Sequence, residues 1–151
     1  MGNSYKKRIN ELEEWRRVMK YLESEMTYAA RILPECLKRT QGYTDAIMAE
    51  LIQQCVENMD REGMSFEQAF HLAWKGYRIK SCLTREDEKI LLDFATRIGK
   101  GDMAEQKKSF SFLYQQLEER IAREKIRSVQ SGKLCRVLFS TMGLAVVLIL
   151  Y

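Results

Sequence analysis

The residues best suited to chemistry are one histidine, His71, and four cysteines, Cys36, Cys55, Cys82 and Cys135. A nucleophilic thiol needs a neighbouring base and a lowered pKa. No cysteine or acid stands at a catalytic spacing from His71. A Cys–His pair would therefore need Cys36, Cys55 or Cys82 to reach it in space. Three of the cysteines fall in helical patterns, where a thiol packs as a small hydrophobe. None is paired as CxxC, and the wide spacing matches neither a zinc site nor a disulfide framework. Four free thiols in a reducing compartment are expected, with no metal and no cofactor.

The acidic runs Glu13-Glu14, Glu86-Asp87-Glu88 and Glu118-Glu119 sit beside Lys or Arg in helical stretches. That is how solvated, i,i+4-paired helix faces look, so these acids read as surface charge rather than hydrolase carboxylates. Gly99-Lys100-Gly101 lacks the first glycine and the Lys-Ser/Thr ending of a phosphate-binding loop. Trp15, Arg16, Arg17 and Tyr21 combine aromatic and basic character, but Glu11, Glu13, Glu14 and Glu23 beside them would repel phosphates. The expectation is a protein that is not an enzyme, with no catalytic residue, small-molecule substrate or nucleic acid. Trp74 and Tyr77 with Arg78, and Tyr28 with Arg31, have the composition of interface hot spots. For any one of these aromatics, packing in the core outweighs the contact reading.

These residues sit on a helical pattern throughout. The 151-residue chain has one proline, eight glycines, 46% hydrophobic and 30% charged residues, and a net charge of +4. One domain with a tail, all-α, follows from those values. A first helix over residues 5–30 repeats Ile9, Leu12, Trp15, Met19, Leu22, Met26 and Ala29 at three- and four-residue steps. Pro34 opens a short second helix to Arg39, stopped by Gly42. Asp45 caps a third, with Ile47, Leu51, Cys55 and Met59 as its apolar stripe and Gly63 as its left-handed end. Ser65 with Gln68 is a capping box for a fourth, carrying Phe66, Phe70, Ala73 or Trp74, and Tyr77 on one side. Thr84 with Asp87 starts a fifth, which carries Ile90, Leu91, Phe94 and Ile98. Asp102 with Glu105 starts a sixth through Leu113, Leu117, Ile121 and Val129. Short connections favour antiparallel neighbours. If the first and sixth helices pair this way, both termini leave from one end.

Residues 137–151 carry no charge, in contrast to a body whose mean hydropathy is −0.37. A spanning helix needs about 20 apolar residues, with roughly 17 as a minimum. Leu134 and Cys135 extend the run toward that length, with Arg136 placing its charge at the interface. The expected division is a bundle over 1–131 and a C-terminal transmembrane helix over 132–151; a buried core helix is the alternative. Lys133 and Arg136 place the bundle in the cytoplasm by the positive-inside rule. Lys6, Lys7 and Arg8 would meet the same face, each basic group contributing about 1 kcal/mol near anionic lipid.

Three strings carry a family resemblance. Leu22-Glu23-Ser24-Glu25-Met26-Thr27-Tyr28 with Leu33-Pro34-Glu35 is one, and Ile98-Gly99-Lys100-Gly101-Asp102 with Glu105-Gln106 is another. The third is Gly132-Lys133-Leu134-Cys135-Arg136 leading to Gly143. In order along the chain, they resemble segments of the stage III sporulation protein AB family. The resemblance implies a helical bundle similar to the cytoplasmic domains of the type II secretion platform protein. It implies a membrane-bound, non-catalytic scaffold between mother cell and forespore, with a secretion-type ATPase and channel subunits as partners. The family begins with an N-terminal transmembrane helix, and here Lys6-Lys7-Arg8 look like the flank of such a span, not present in this sequence. A soluble helical adaptor and, further off, a thiol enzyme using Cys55 or Cys82 with His71 are the competing readings.

Overall fold

The computed structural model describes residues 2–28, 32–98 and 103–131, with side chains over 6–27, 32–98 and 103–127. Six helices account for them: α1 (Gly2–Tyr28), α2 (Leu33–Gln41), α3 (Ala46–Glu62), α4 (Phe66–Lys80), α5 (Arg85–Arg97) and α6 (Met103–Ser131). No strand occurs among the described residues.

The boundaries follow the local chemistry. Asp45 accepts a hydrogen bond from the Met48 N–H, satisfying one of the free donors at the start of α3. Gly63 ends α3 at φ 63°, the left-handed conformation that glycine adopts without a Cβ penalty. Ser65 with Gln68, and Thr84 with Asp87, both form complete capping boxes. The start signal at Asp102 lies outside the described residues.

Each helix packs against the next in sequence, and α6 closes onto α1, so the six form a ring around one core. Closure is antiparallel: the Tyr114 hydroxyl donates to Glu23 at 2.9 Å, while Glu124, further along α6, pairs with Arg8 near the start of α1. The beginning of α1 and the end of α6 therefore share one end of the bundle. At 29 residues, α6 runs about 43 Å, so its first residues lie at the far end.

The apolar stripes mostly fall as expected. Leu12, Trp15, Met19, Leu22 and Met26 are buried, as are Leu91, Phe94, Ile98, Leu113, Leu117 and Ile121. Ala29 and the Val129 side chain lie outside the description. Ile47 differs, being 41% exposed. The buried face of α3 is built from Met48, Leu51, Ile52, Cys55 and Val56, and Ile47 lies about 100° round the helix from Met48. Trp15 occupies the centre, its ring 5.7 Å from Trp74, 5.8 Å from Tyr77 and 6.3 Å from Phe70.

Among the described residues, no helix is long and apolar enough to cross a membrane. The proposed span over 132–151 lies outside them.

Candidate functional site

The most concentrated polar chemistry is an ionic cluster where α1, α5 and α6 meet. Arg8 lies in register with Leu12, Trp15 and Met19, so its side chain enters the core face of α1. It is 7% exposed and holds Asp87 with two hydrogen bonds, Nε to Oδ2 at 2.6 Å and Nη2 to Oδ1 at 2.9 Å. Its Nη1 pairs with Glu124, itself 3% exposed. Asp87 is fully buried and also accepts from Arg120 Nε at 2.9 Å and from the Thr84 N–H at 3.1 Å.

Burial alone would favour the neutral acid at Asp87. The hydrogen bonds from Arg8, Thr84 and Arg120, together with the Arg8 charge, outweigh burial and hold the carboxyl below its ordinary value. The Arg8 guanidinium is in turn held more firmly protonated, chiefly by its hydrogen bond to Asp87 and against the effect of burial.

Two expectations are corrected by this cluster. Arg8 is buried against two carboxylates and has no guanidinium edge for lipid, whereas Lys6 and Lys7 are exposed at the start of α1. The run Glu86-Asp87-Glu88 is not uniformly solvated. Its middle member occupies the third helical position of α5, which faces the α1–α6 seam. With its oxygens occupied by donors, the cluster is suited to clamping three helices rather than to moving a proton.

A second polar hub ties α1 to the α4–α5 connection. The Trp15 indole N–H donates to Tyr77 Oη at 2.9 Å, and the Tyr77 hydroxyl donates to Glu11 at 2.6 Å. Glu11 also accepts from Ser81 Oγ at 2.5 Å and from the Cys82 N–H at 2.8 Å. Burial, followed by the Glu11 hydrogen bond and charge, raises the Tyr77 pKa. Tyr77 is therefore a neutral donor within the core.

Tyr77 and Trp74, candidates for a contact surface, are both buried, which is the core reading. Their positions on α4 share the inward face with Phe70 and Ala73, and both rings pack on Trp15. Arg78 is exposed and pairs with Glu88. The side chains of Tyr28 and Arg31, and all of Lys133 and Arg136, lie outside the described residues.

Among the described residues, no cysteine meets His71. Cys36 and Cys55 are buried, and burial pushes the Cys55 pKa up to about 12. Cys82 is exposed and lines a cleft with Lys7, Glu11 and Lys80, while His71 borders a different depression with Met64, Gln68 and Lys75. Among the described residues, no group of three or more His, Cys, Asp or Glu could hold a metal ion.

The remaining features are surface ones. On α3 and α4, Ile47, Leu72 and Ile79 are exposed; at the far end, Met103 and Phe112 are exposed on α6. The Arg97 guanidinium lies 5.0 Å from the Phe112 ring centre, within cation–π range.

A helical ring with α1 and α6 closing antiparallel is the architecture that the comparisons address. The family model described as stage III sporulation protein AB matches residues 1–151. The chain belongs to that family. Membership places the protein among sporulation proteins. A solved structure of stage III sporulation protein AB (SpoIIIAB) is similar, with a TM-score of 0.75 and 18% identity over 82% of this chain and 97% of that one. At that identity the likeness is one of fold. No curated protein matches the chain.

The Asp87 cluster makes a stability prediction. Breaking a buried ion pair from one side costs about 3–5 kcal/mol, so Asp87→Asn should lose that much in urea unfolding at pH 7. Because the folded carboxyl titrates below its unfolded value of about 3.9, its contribution is complete above that pH. It disappears as pH falls through the lower folded value. The difference between wild type and Asp87→Asn should therefore shrink below about pH 4; a constant gap down to pH 2 would contradict the ionised assignment.

Iodoacetamide labelling followed by peptide mass analysis should modify Cys82 in the folded chain. It should leave Cys36 and Cys55 unmodified until denaturant is added. Rapid native labelling of Cys55 would revive the thiol-enzyme reading.

Proposed function

We propose that the protein is a membrane-anchored, non-catalytic scaffold of a sporulation-specific secretion or channel complex. Its bundle faces the mother-cell cytoplasm at the boundary with the forespore. The observation that carries this reading is the antiparallel closure of α1 on α6. It brings exposed Lys6 and Lys7 to the end of the bundle from which the chain continues to Lys133, Arg136 and the uncharged residues 137–151. Basic groups gathered at one end favour an anionic bilayer surface there, and the uncharged segment supplies the anchor.

The opposite end then points away from the membrane, toward soluble partners. Phe112 under Arg97 combines an exposed aromatic with arginine, a residue enriched at the energetic centres of protein interfaces. A secretion-type ATPase would dock there, with channel subunits meeting the chain at the membrane. Membership of the sporulation family supports this role.

Two measurements test it. The full chain should float with anionic vesicles and stay with them in carbonate at high pH; release by carbonate would remove the anchor from the reading. In sporulating cells, Phe112→Ala with Arg97→Glu should reduce co-purification of the ATPase at least tenfold while leaving the chain in the membrane fraction. Undiminished co-purification would move the docking site elsewhere.

A further inference from the structure

Gly76 stands in the middle of α4, where glycine costs about 1 kcal/mol relative to alanine. Nothing in the bundle requires it. A Cβ built at this position meets no atom within 4 Å, and Gly63 is the described glycine with positive φ. Gly76 also floors a shallow groove between α3 and α4, together with Leu51 and Ala73. Ile47 lines it from α3, and on α4 the exposed Leu72 and Ile79, the latter 85% exposed, stand four residues before and three after Gly76 on the outer side of the helix. Leu72 and Ile79 are seven residues apart and share one side of the helix. An unfilled glycine between exposed aliphatics is the feature that lets a second helix approach closely.

The charges indicate what approaches. On α3 the groove is lined by Glu50, with Glu57 two turns further along the helix; on α4 it is lined by Lys80, with Lys75 further round the helix, four residues before Ile79. Lys80 Nζ lies 3.2 Å from Glu50, so these two residues stand at the same height in the antiparallel hairpin. The Asn58 side-chain bond to the Ala69 carbonyl, at 3.4 Å, sets the same register further along. Lys75 and Glu57 are then about one turn apart in height.

We propose that the α3–α4 hairpin is the contact surface for a second copy of this chain, related by a two-fold axis parallel to the helices. That axis preserves height and exchanges left for right, so the acidic edge of each α3 faces the basic edge of the other α4. A two-fold axis across the helices would instead set acid on acid. A lone acidic partner helix would satisfy α4 and leave the α3 carboxylates opposed by like charge. A bilayer is the wrong shape, because α4 runs along the bundle rather than across its end.

Exposed ion pairs are individually weak, so the aliphatic contact over Gly76 supplies the affinity and the charges select the register. The parallel axis also sends both tails out of one end; that correspondence rests on the anchored reading, whereas the contact itself does not.

The test is sedimentation equilibrium of the full chain in density-matched detergent. Wild type should show a reversible monomer–dimer equilibrium. Gly76→Gln should weaken it at least tenfold with an unchanged or higher melting temperature, since the new side chain has open space and better helix propensity. Glu50→Lys with Glu57→Lys, and Lys75→Glu with Lys80→Glu, should each weaken self-association at least tenfold, and mixing the two should restore a dimer. In a Cys82→Ser, Cys135→Ser background, Gly76→Cys should cross-link through a short bis-maleimide, and Ser111→Cys on α6 should not. A wild type that stays monomeric at all concentrations, or Gly76→Gln associating as wild type does, overturns the proposal. A chain that dimerises in detergent yet is released from vesicles by carbonate would fail the anchored reading and leave the dimer standing.

Discussion

The interaction on which the architecture depends is the Arg8–Asp87 pair, extended by Arg120 and Glu124. It joins the first, fifth and last helices, residues separated by 79 and 116 positions in sequence. The other seams of the ring join helices that follow one another along the chain, so short connections already bring them together. The α1–α6 seam has no such help and must recover the entropy of closing a loop that spans most of the chain. Apolar contacts from Leu12, Leu117 and Ile121 contribute to that closure without specifying a register. A bidentate guanidinium–carboxylate pair does specify one, because both partners are buried and a slip of one turn would leave two uncompensated charges. The register of α6 on α1 thereby follows from a few polar atoms.

The Glu11 hub works in the same way on a smaller scale. Its carboxylate collects Tyr77, Ser81 and the Cys82 N–H, so the chain leaving α4 is fastened to α1 one turn from Arg8. Through Tyr77 this hub reaches the Trp15 indole, and so connects the polar seam to the aromatic centre. The half of the bundle nearest the start of α1 is consequently held by directional bonds, and the aromatic centre by rings packed at 5–6 Å. A bundle tied by directional bonds in this way is consistent with the scaffold role proposed above. It also leaves the outer faces free to vary, and these are where the unexplained features lie: an aliphatic groove over a glycine, and a phenylalanine under an arginine.

Amphipathic periodicity and capping chemistry are local, so they were legible in the chain as written. Asp45, Ser65 with Gln68, and Thr84 with Asp87 each act within three residues, and each forms the predicted cap. The positions missed share a different character. Arg8 reads as a basic flank beside Lys6 and Lys7, although it keeps the three- and four-residue register of Leu12, Trp15 and Met19. Asp87 reads as one of three solvated acids, although its capping-box position fixes its direction. Glu124 follows Leu117 and Ile121 at helical spacing. In each case the signal was a charge in an apolar register, which becomes meaningful only when an opposite charge occupies the facing helix. For Trp74 and Tyr77 the core reading holds and the contact reading fails: aromatic composition suits an interface as well as a core, and only the position of Trp15 opposite them decides.

The sequence by itself determined the six helices of the described residues, the caps at Asp45, Ser65 and Thr84, most of the buried stripes and, through its family strings, membership of the stage III sporulation protein AB family. These depend on residues near one another in the chain or on a pattern along its whole length. Only the tertiary structure decided which charges are buried, which aromatics reach solvent and where the grooves lie, because burial belongs to pairs of surfaces rather than to residues. Arg8 is the clearest case. Its helix position is local information, but its protonation, its partners and its removal from any membrane surface all come from α5 and α6 arriving beside it.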